Sequence, residues 1–205
     1  MMYSHTNNSG FSLVETLVAI TILLIVITGP LTLVSNSARS TNFANDQVIA
    51  YFLAQEGLEI AQAARDDLLI PTFDTGYSGG VAWDIFANTS GTYQQCFSGG
   101  CGLYLISNDS GGDNDPNGAV DVVNCVSTNV TNCQLHITSN NDERAKYTHE
   151  VTTDTEPSKY TRVITMNETD PGQIEVVSRV SWRSDGQRNI QNVETVTYLF
   201  DVYGR

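Results

Sequence analysis

Oxygen-bearing side chains crowd the stretch Asp109-Ser110-Gly111-Gly112-Asp113-Asn114-Asp115-Pro116-Asn117-Gly118-Ala119-Val120-Asp121. Asp113, Asp115 and Asn117 alternate, Gly118 follows, and Asp121 comes three residues later. An EF-hand-like calcium loop uses this order: side-chain oxygens at positions 1, 3 and 5, a glycine turn at 6 and a further ligand at 9. The twelfth position is Asn124 rather than a bidentate Glu, and no flanking helix pair is evident. The calcium reading is therefore a compact loop of weak to moderate affinity. Asp, Asn and Gly are also ordinary turn formers, so a solvated loop stands as the alternative.

No motif requires another cofactor. The histidines are His5, His136 and His149, and the chain contains no HExxH, no GxSxG and no phosphate-cradling glycine loop. His149 and Glu150 adjoin on what reads as a strand, which sends them to opposite faces. A non-enzymatic protein is expected. With 23 acidic against 10 basic residues and a net charge of −13, direct binding to nucleic acid phosphates is disfavoured.

The chemistry concentrated in one residue depends on its surroundings. Phe11 to Val34 reads FSLVETLVAITILLIVITGPLTLV, in which Glu15 is the only ionisable residue. As a helix this run spans about 36 Å, enough to cross a hydrocarbon core of about 30 Å. The helical pattern continues as an amphipathic segment over residues 35–67, with Ile49, Leu53 and Ile60 at near-helical spacing beside Val48 and Phe52. Pro71 is expected to stop it soon after Asp67. A cleaved secretory signal would need a basic leader, and residues 1–10 contain no Lys or Arg. A generic anchor gives no reason for a carboxylate that costs roughly 2.5–3.5 kcal/mol at a bilayer centre, and less towards the interface.

Ser9-Gly10-Phe11-Ser12-Leu13-Val14-Glu15-Thr16-Leu17-Val18-Ala19-Ile20 resembles the start of type IV prepilins and of the related pseudopilins of type II secretion systems: a short polar leader, Gly, Phe, and Glu at the fifth position after the cut. The likeness extends over about residues 9–66. It implies cleavage between Gly10 and Phe11 by a membrane prepilin peptidase and N-methylation of Phe11. Glu15 then neutralises the terminal amine of a neighbouring subunit during assembly. The family's leaders usually carry Lys or Arg, which residues 1–10 lack. The implied partners are other pilin subunits, the peptidase, an inner-membrane assembly platform and the membrane itself. The implied location is a single pass through the inner membrane, then an extracellular pilus or a periplasmic pseudopilus. Gly29-Pro30 sits where this family often interrupts its helix, and a tolerated transmembrane proline is the alternative.

The expected fold is α+β and pilin-like: a leader over 1–10, a transmembrane and assembly helix over 11–34, its amphipathic continuation over 35–67, and an exported β-rich domain over 68–205 whose antiparallel sheet packs on the helix. Gln173–Trp182 alternates as a half-buried strand with Ile174, Val176, Val180 and Trp182 on one face. Asp185-Gly186 marks a turn, the strand over about 190–202 returns with Val196, Tyr198, Phe200 and Val202 together, and Tyr160–Met166 precedes the pair. In an exported domain four cysteines favour disulfides, and Cys96 with Cys101 and Cys125 with Cys133 close the shortest loops. Reduced thiols and a four-cysteine zinc site are the alternatives, although neither gap has the two-residue spacing usual for zinc. Together these features describe a filament subunit, minor rather than bulk, serving adhesion, secretion or a related task. The alternatives are a type II secretion pseudopilin and a membrane-tethered binding domain that never polymerises.

Overall fold

The computed structural model describes residue 10 and residues 12–75, 79–105, 120–125, 133–138, 146–184 and 189–202. Helix α1 runs from Leu13 to Thr75, and the short helices α2 (Gly79–Phe86) and α3 (Gln94–Phe97) follow. One antiparallel sheet of seven strands completes the α+β, pilin-like fold, namely β1 (Cys101–Leu105), β2 (Val120–Asn124), β3 (Gln134–Thr138), β4 (Tyr147–Thr148), β5 (Thr155–Asp170), β6 (Gln173–Trp182) and β7 (Gln191–Phe200). Internal contacts divide the chain into the units Met1–Asn45 and Asp46–Arg205, the second of which includes the C-terminal part of α1.

From Leu13 to Val34 the helix is apolar on every side. Leu13, Val14, Leu17, Ile20, Leu23 and Ile25 are all exposed, the signature of a rod built for an apolar solvent. Its threonines need no outside partner: Thr16 Oγ1 donates to the Leu13 carbonyl (2.9 Å) and Thr21 Oγ1 to that of Val18 (2.8 Å). Gly29 and Pro30 lie within the helix, where Thr32 Oγ1 donates to the Gly29 carbonyl at 2.7 Å. Helical structure likewise passes Pro71 and ends at Thr75, correcting the expected stop after Asp67. The lost donor and crowded preceding turn are local penalties, and only the last turn of α1 has to bear them.

In the second unit α1 presents a stripe to the sheet. Ala50, Leu53, Ala54, Gly57, Ile60, Ala61 and Ala64 are buried, at the three- and four-residue steps of one helix face. Most are small, because the helix lies very near the strands. A Cβ on Gly57 would fall 2.5 Å from Ser178 Oγ and 3.0 Å from Arg162 Cδ. Val48 and Phe52, expected on the packed face, are instead exposed with Tyr51.

Strand β5 organises the sheet. One edge pairs along β6 from Tyr160↔Trp182 to Asp170↔Gln173, and the other is shared by β3 and β1. The β5–β6 turn is Pro171-Gly172, whose glycine takes φ 81° at no steric cost. Strand β6 has its expected bounds and buries Ile174, Val176, Val180 and Trp182. The turn residues Asp185 and Gly186 lie outside the described residues. In β7 the row Val196, Tyr198 and Phe200, like Val202 beyond the strand, is exposed, while Leu199 on the other side enters the core. A two-residue period fixes which residues share a face without saying which face is covered.

The core joins α1, α2 and the sheet through Ala61, Trp83, Phe86, Leu103, Ile164 and Val176. Cysteine pairs close beside it, with Cys96 to Cys101 at 4.7 Å and Cys125 to Cys133 at 5.4 Å between Cα atoms, both within the spacing a disulfide needs. Gly57→Ala should force Arg162 or Ser178 from its place and destabilise the globular unit by about 1–3 kcal/mol, the usual cost of overpacking, measurable by urea unfolding.

Candidate functional site

The N-terminal site is built on the first turn of α1. Gly10 is exposed, with nothing within 4 Å of where a Cβ would stand. Phe11 lies outside the described residues. Thr16 N–H bonds the Ser12 carbonyl at 3.1 Å, so helical hydrogen bonding starts right after the Gly10-Phe11 pair of the expected cleavage motif. Glu15 falls in the first turn, where the partial positive charge of the helix N-terminus favours a carboxylate. No described group bonds it. It is exposed on a helix long and apolar enough to cross a membrane. A lone carboxylate in an apolar setting is costly unless it is paired or neutralised.

The other predicted ligands do not converge among the described residues. Asp113, Asp115 and Asn117 lie outside them. Asp121 is described in β2, where Oδ2 accepts from the Tyr104 hydroxyl at 2.8 Å and Oδ1 from Val122 N–H at 2.7 Å. Burial, then that hydrogen bond and the Asp121 charge, push the Tyr104 hydroxyl up to about 12. Among the described residues no three His, Cys, Asp or Glu side chains are placed to hold a metal ion. The cysteines are committed to their disulfides. His136 falls in β3 and His149 just beyond β4.

Two polar clusters in the globular unit escaped the sequence analysis. Arg162, in the middle of β5, is fully buried. Its Nη1 donates to the Leu53 carbonyl (3.2 Å) and to Glu56 Oε2 (2.8 Å), and its Nη2 to the Leu103 carbonyl (3.1 Å). Burial draws the guanidinium down, and the Glu56 carboxylate opposes this. The signal was present: Tyr160, Arg162, Ile164 and Met166 alternate in step, placing Arg162 on the core face. The second cluster surrounds Asp46, which accepts from Lys159 Nζ (2.5 Å), Ser184 Oγ (2.8 Å) and the Tyr160 hydroxyl (3.5 Å). Trp182 Nε1 donates to Ser184 Oγ at 3.2 Å. Burial alone would raise the Asp46 carboxyl, but these donors and the Lys159 charge outweigh it and hold the group below its usual value. Both clusters fix α1 to the sheet.

Residues 5–29 match the prokaryotic N-terminal methylation motif, the signature of type IV pilins and pseudopilins. The match contains Gly10, Phe11 and Glu15. That signature and the α+β, pilin-like fold support a type IV pilin-like or pseudopilin subunit. The motif implies processing by prepilin peptidase and assembly with other pilins, and together with the apolar helix it fits a membrane-anchored precursor. No curated protein and no solved structure matches the chain.

Arg162→Leu keeps much of the side-chain volume but removes the donors to the Leu53 and Leu103 carbonyls and to Glu56. We expect a stability loss of about 3 kcal/mol, the low end of what breaking a buried charged network costs. Glu56→Gln should cost less, because the Glu56 side chain is 42 % exposed. Chemical denaturation of the two variants provides the comparison.

Proposed function

We propose that this protein is a minor subunit of a type IV pilus or pilus-like filament, and that its role is structural rather than enzymatic. It is made as a single-pass inner-membrane precursor, cut between Gly10 and Phe11, N-methylated on Phe11 and incorporated through α1. The observation that carries this reading is Glu15, the only ionisable residue between Phe11 and Val34, set in the first turn of a helix that offers it no partner among the described residues. Once the leader is removed, the Phe11 amine of an adjacent subunit supplies the missing cation. One ion pair then sets the axial register of two otherwise featureless apolar rods, which is the best-attested use of a buried charge.

The minor role is supported by the long, varied segment between α1 and β5. That segment includes α2, α3, two disulfides and the Asp113-Asp115-Asn117 loop, more elaboration than a bulk repeating subunit needs. A pseudopilin of type II secretion would use the same helix chemistry.

Mass spectrometry of the mature protein should find N-methylphenylalanine from Phe11 as the first residue. A start near Ala38 would mean ordinary secretion instead. Glu15→Ala should leave membrane insertion intact and remove the protein from sheared filament fractions. An unchanged yield in those fractions would favour a tethered domain that does not polymerise.

A further inference from the structure

His149 is only 3 % exposed, and its ring sits flat against a strand that leaves room for it only because residue 102 is glycine. A Cβ on Gly102 would lie 2.9 Å from both Cε1 and Nε2 of His149 and 3.0 Å from Cδ2. Both ring nitrogens are buried and neither bonds any described group. The groups facing the ring come from two strands. Arg162 projects from β5 and donates to the carbonyl of Leu103, next to Gly102. His136 projects from β3, in register with Thr148 beside His149. On the far side of Arg162, Glu56 of α1 is engaged with Nη1. Glu150, adjoining His149 in the chain, is partly exposed.

A proton added to this ring therefore meets no acceptor and stands in the same layer as a buried guanidinium. We propose that His149 is an acid-sensitive latch: protonation drives the ring from its seat on Gly102 and loosens both β4 and the Arg162 contacts that hold α1 to the sheet. Burial, then the charges of Arg162 and His136, pull the His149 ring down to about 3 in the folded protein, against 6.5 for a free imidazole. The sign follows directly. Above pH 6.5 the ring is neutral whether the chain is folded or unfolded, and the latch is fully closed. As pH falls from 6.5 towards 3 only the unfolded chain takes up the proton, so stability drops, by about tenfold in the unfolding constant per pH unit. Asp46, held below the ordinary carboxyl value of 3.8, gives up its contribution at lower pH, which leaves pH 4–6.5 as the window in which His149 is read.

The test uses the full chain in detergent micelles, with urea unfolding followed by the fluorescence of Trp83 and Trp182, both in the globular unit. Between pH 6.5 and 4 the wild type should lose about tenfold in folding equilibrium per unit, whereas His149→Phe, which keeps a flat ring in the seat, should show a slope smaller by one proton. Equal slopes would overturn the proposal. If His149→Phe fails to fold, the wild-type protein decides by histidine NMR. A His149 ring that stays neutral down to pH 4 in the folded state supports the latch, and one that titrates near pH 6.5 without structural change refutes it.

Discussion

Three elements of the globular unit converge on one cation. Arg162 reaches from β5 to the backbone of α1, to the Glu56 carboxylate and to the backbone of β1. A guanidinium can do this because its donors are fixed in a plane and point in several directions at once. The arrangement fixes the helix in two respects. It sets how α1 is rotated, since Leu53 and Glu56 must face β5, and how close α1 lies, since Gly57 has to pass over Arg162 and Ser178 without a side chain. The alanines on either side continue the same close approach. Burying a charge is costly unless its hydrogen bonds are made; here the two carbonyls and the carboxylate engage Nη1 and Nη2, while Nε is buried without a partner among the described residues.

The same helix answers a different solvent in its first unit. There the stripe disappears, apolar residues cover the whole circumference, and the threonines turn their hydroxyls back onto the preceding turn. Between Leu13 and Val34 each threonine hydroxyl is satisfied by the rod itself. Glu15 has no such partner among the described residues, and the proposed assembly role rests on that difference.

What could be read from the sequence follows from how far each signal reaches. The membrane-length run and the cleavage motif are contiguous, so they were legible in full. The bounds of β6 were legible because its two-residue alternation is clean from Gln173 to Trp182. In β7 the row of Val196, Tyr198 and Phe200 is real, yet it faces away from the core. Coverage depends on what packs above a sheet, and the strand itself does not carry that information. On α1, large residues such as Val48 and Phe52 drew attention while the packed stripe was mostly alanine and glycine, because the distance to the sheet, not hydrophobicity alone, selected the side chains. Asp46 with Ser184 and Lys159, Arg162 with Glu56, and His149 with Gly102 were not legible, since each joins residues far apart in the chain. The calcium loop rests on Asp113, Asp115 and Asn117, outside the described residues, and Asp121 alone is placed, within the β1–β2 ladder.

Both disulfides are short rings, linking residues five and eight apart in the chain, and all four cysteines are used in them. Neither ring ties α1 to the sheet. Tension transmitted along the rod would therefore fall on the Arg162 and Asp46 clusters and on the alanine seam, with no covalent strap in parallel. The domain would yield by peeling the helix away while its two small loops stayed closed.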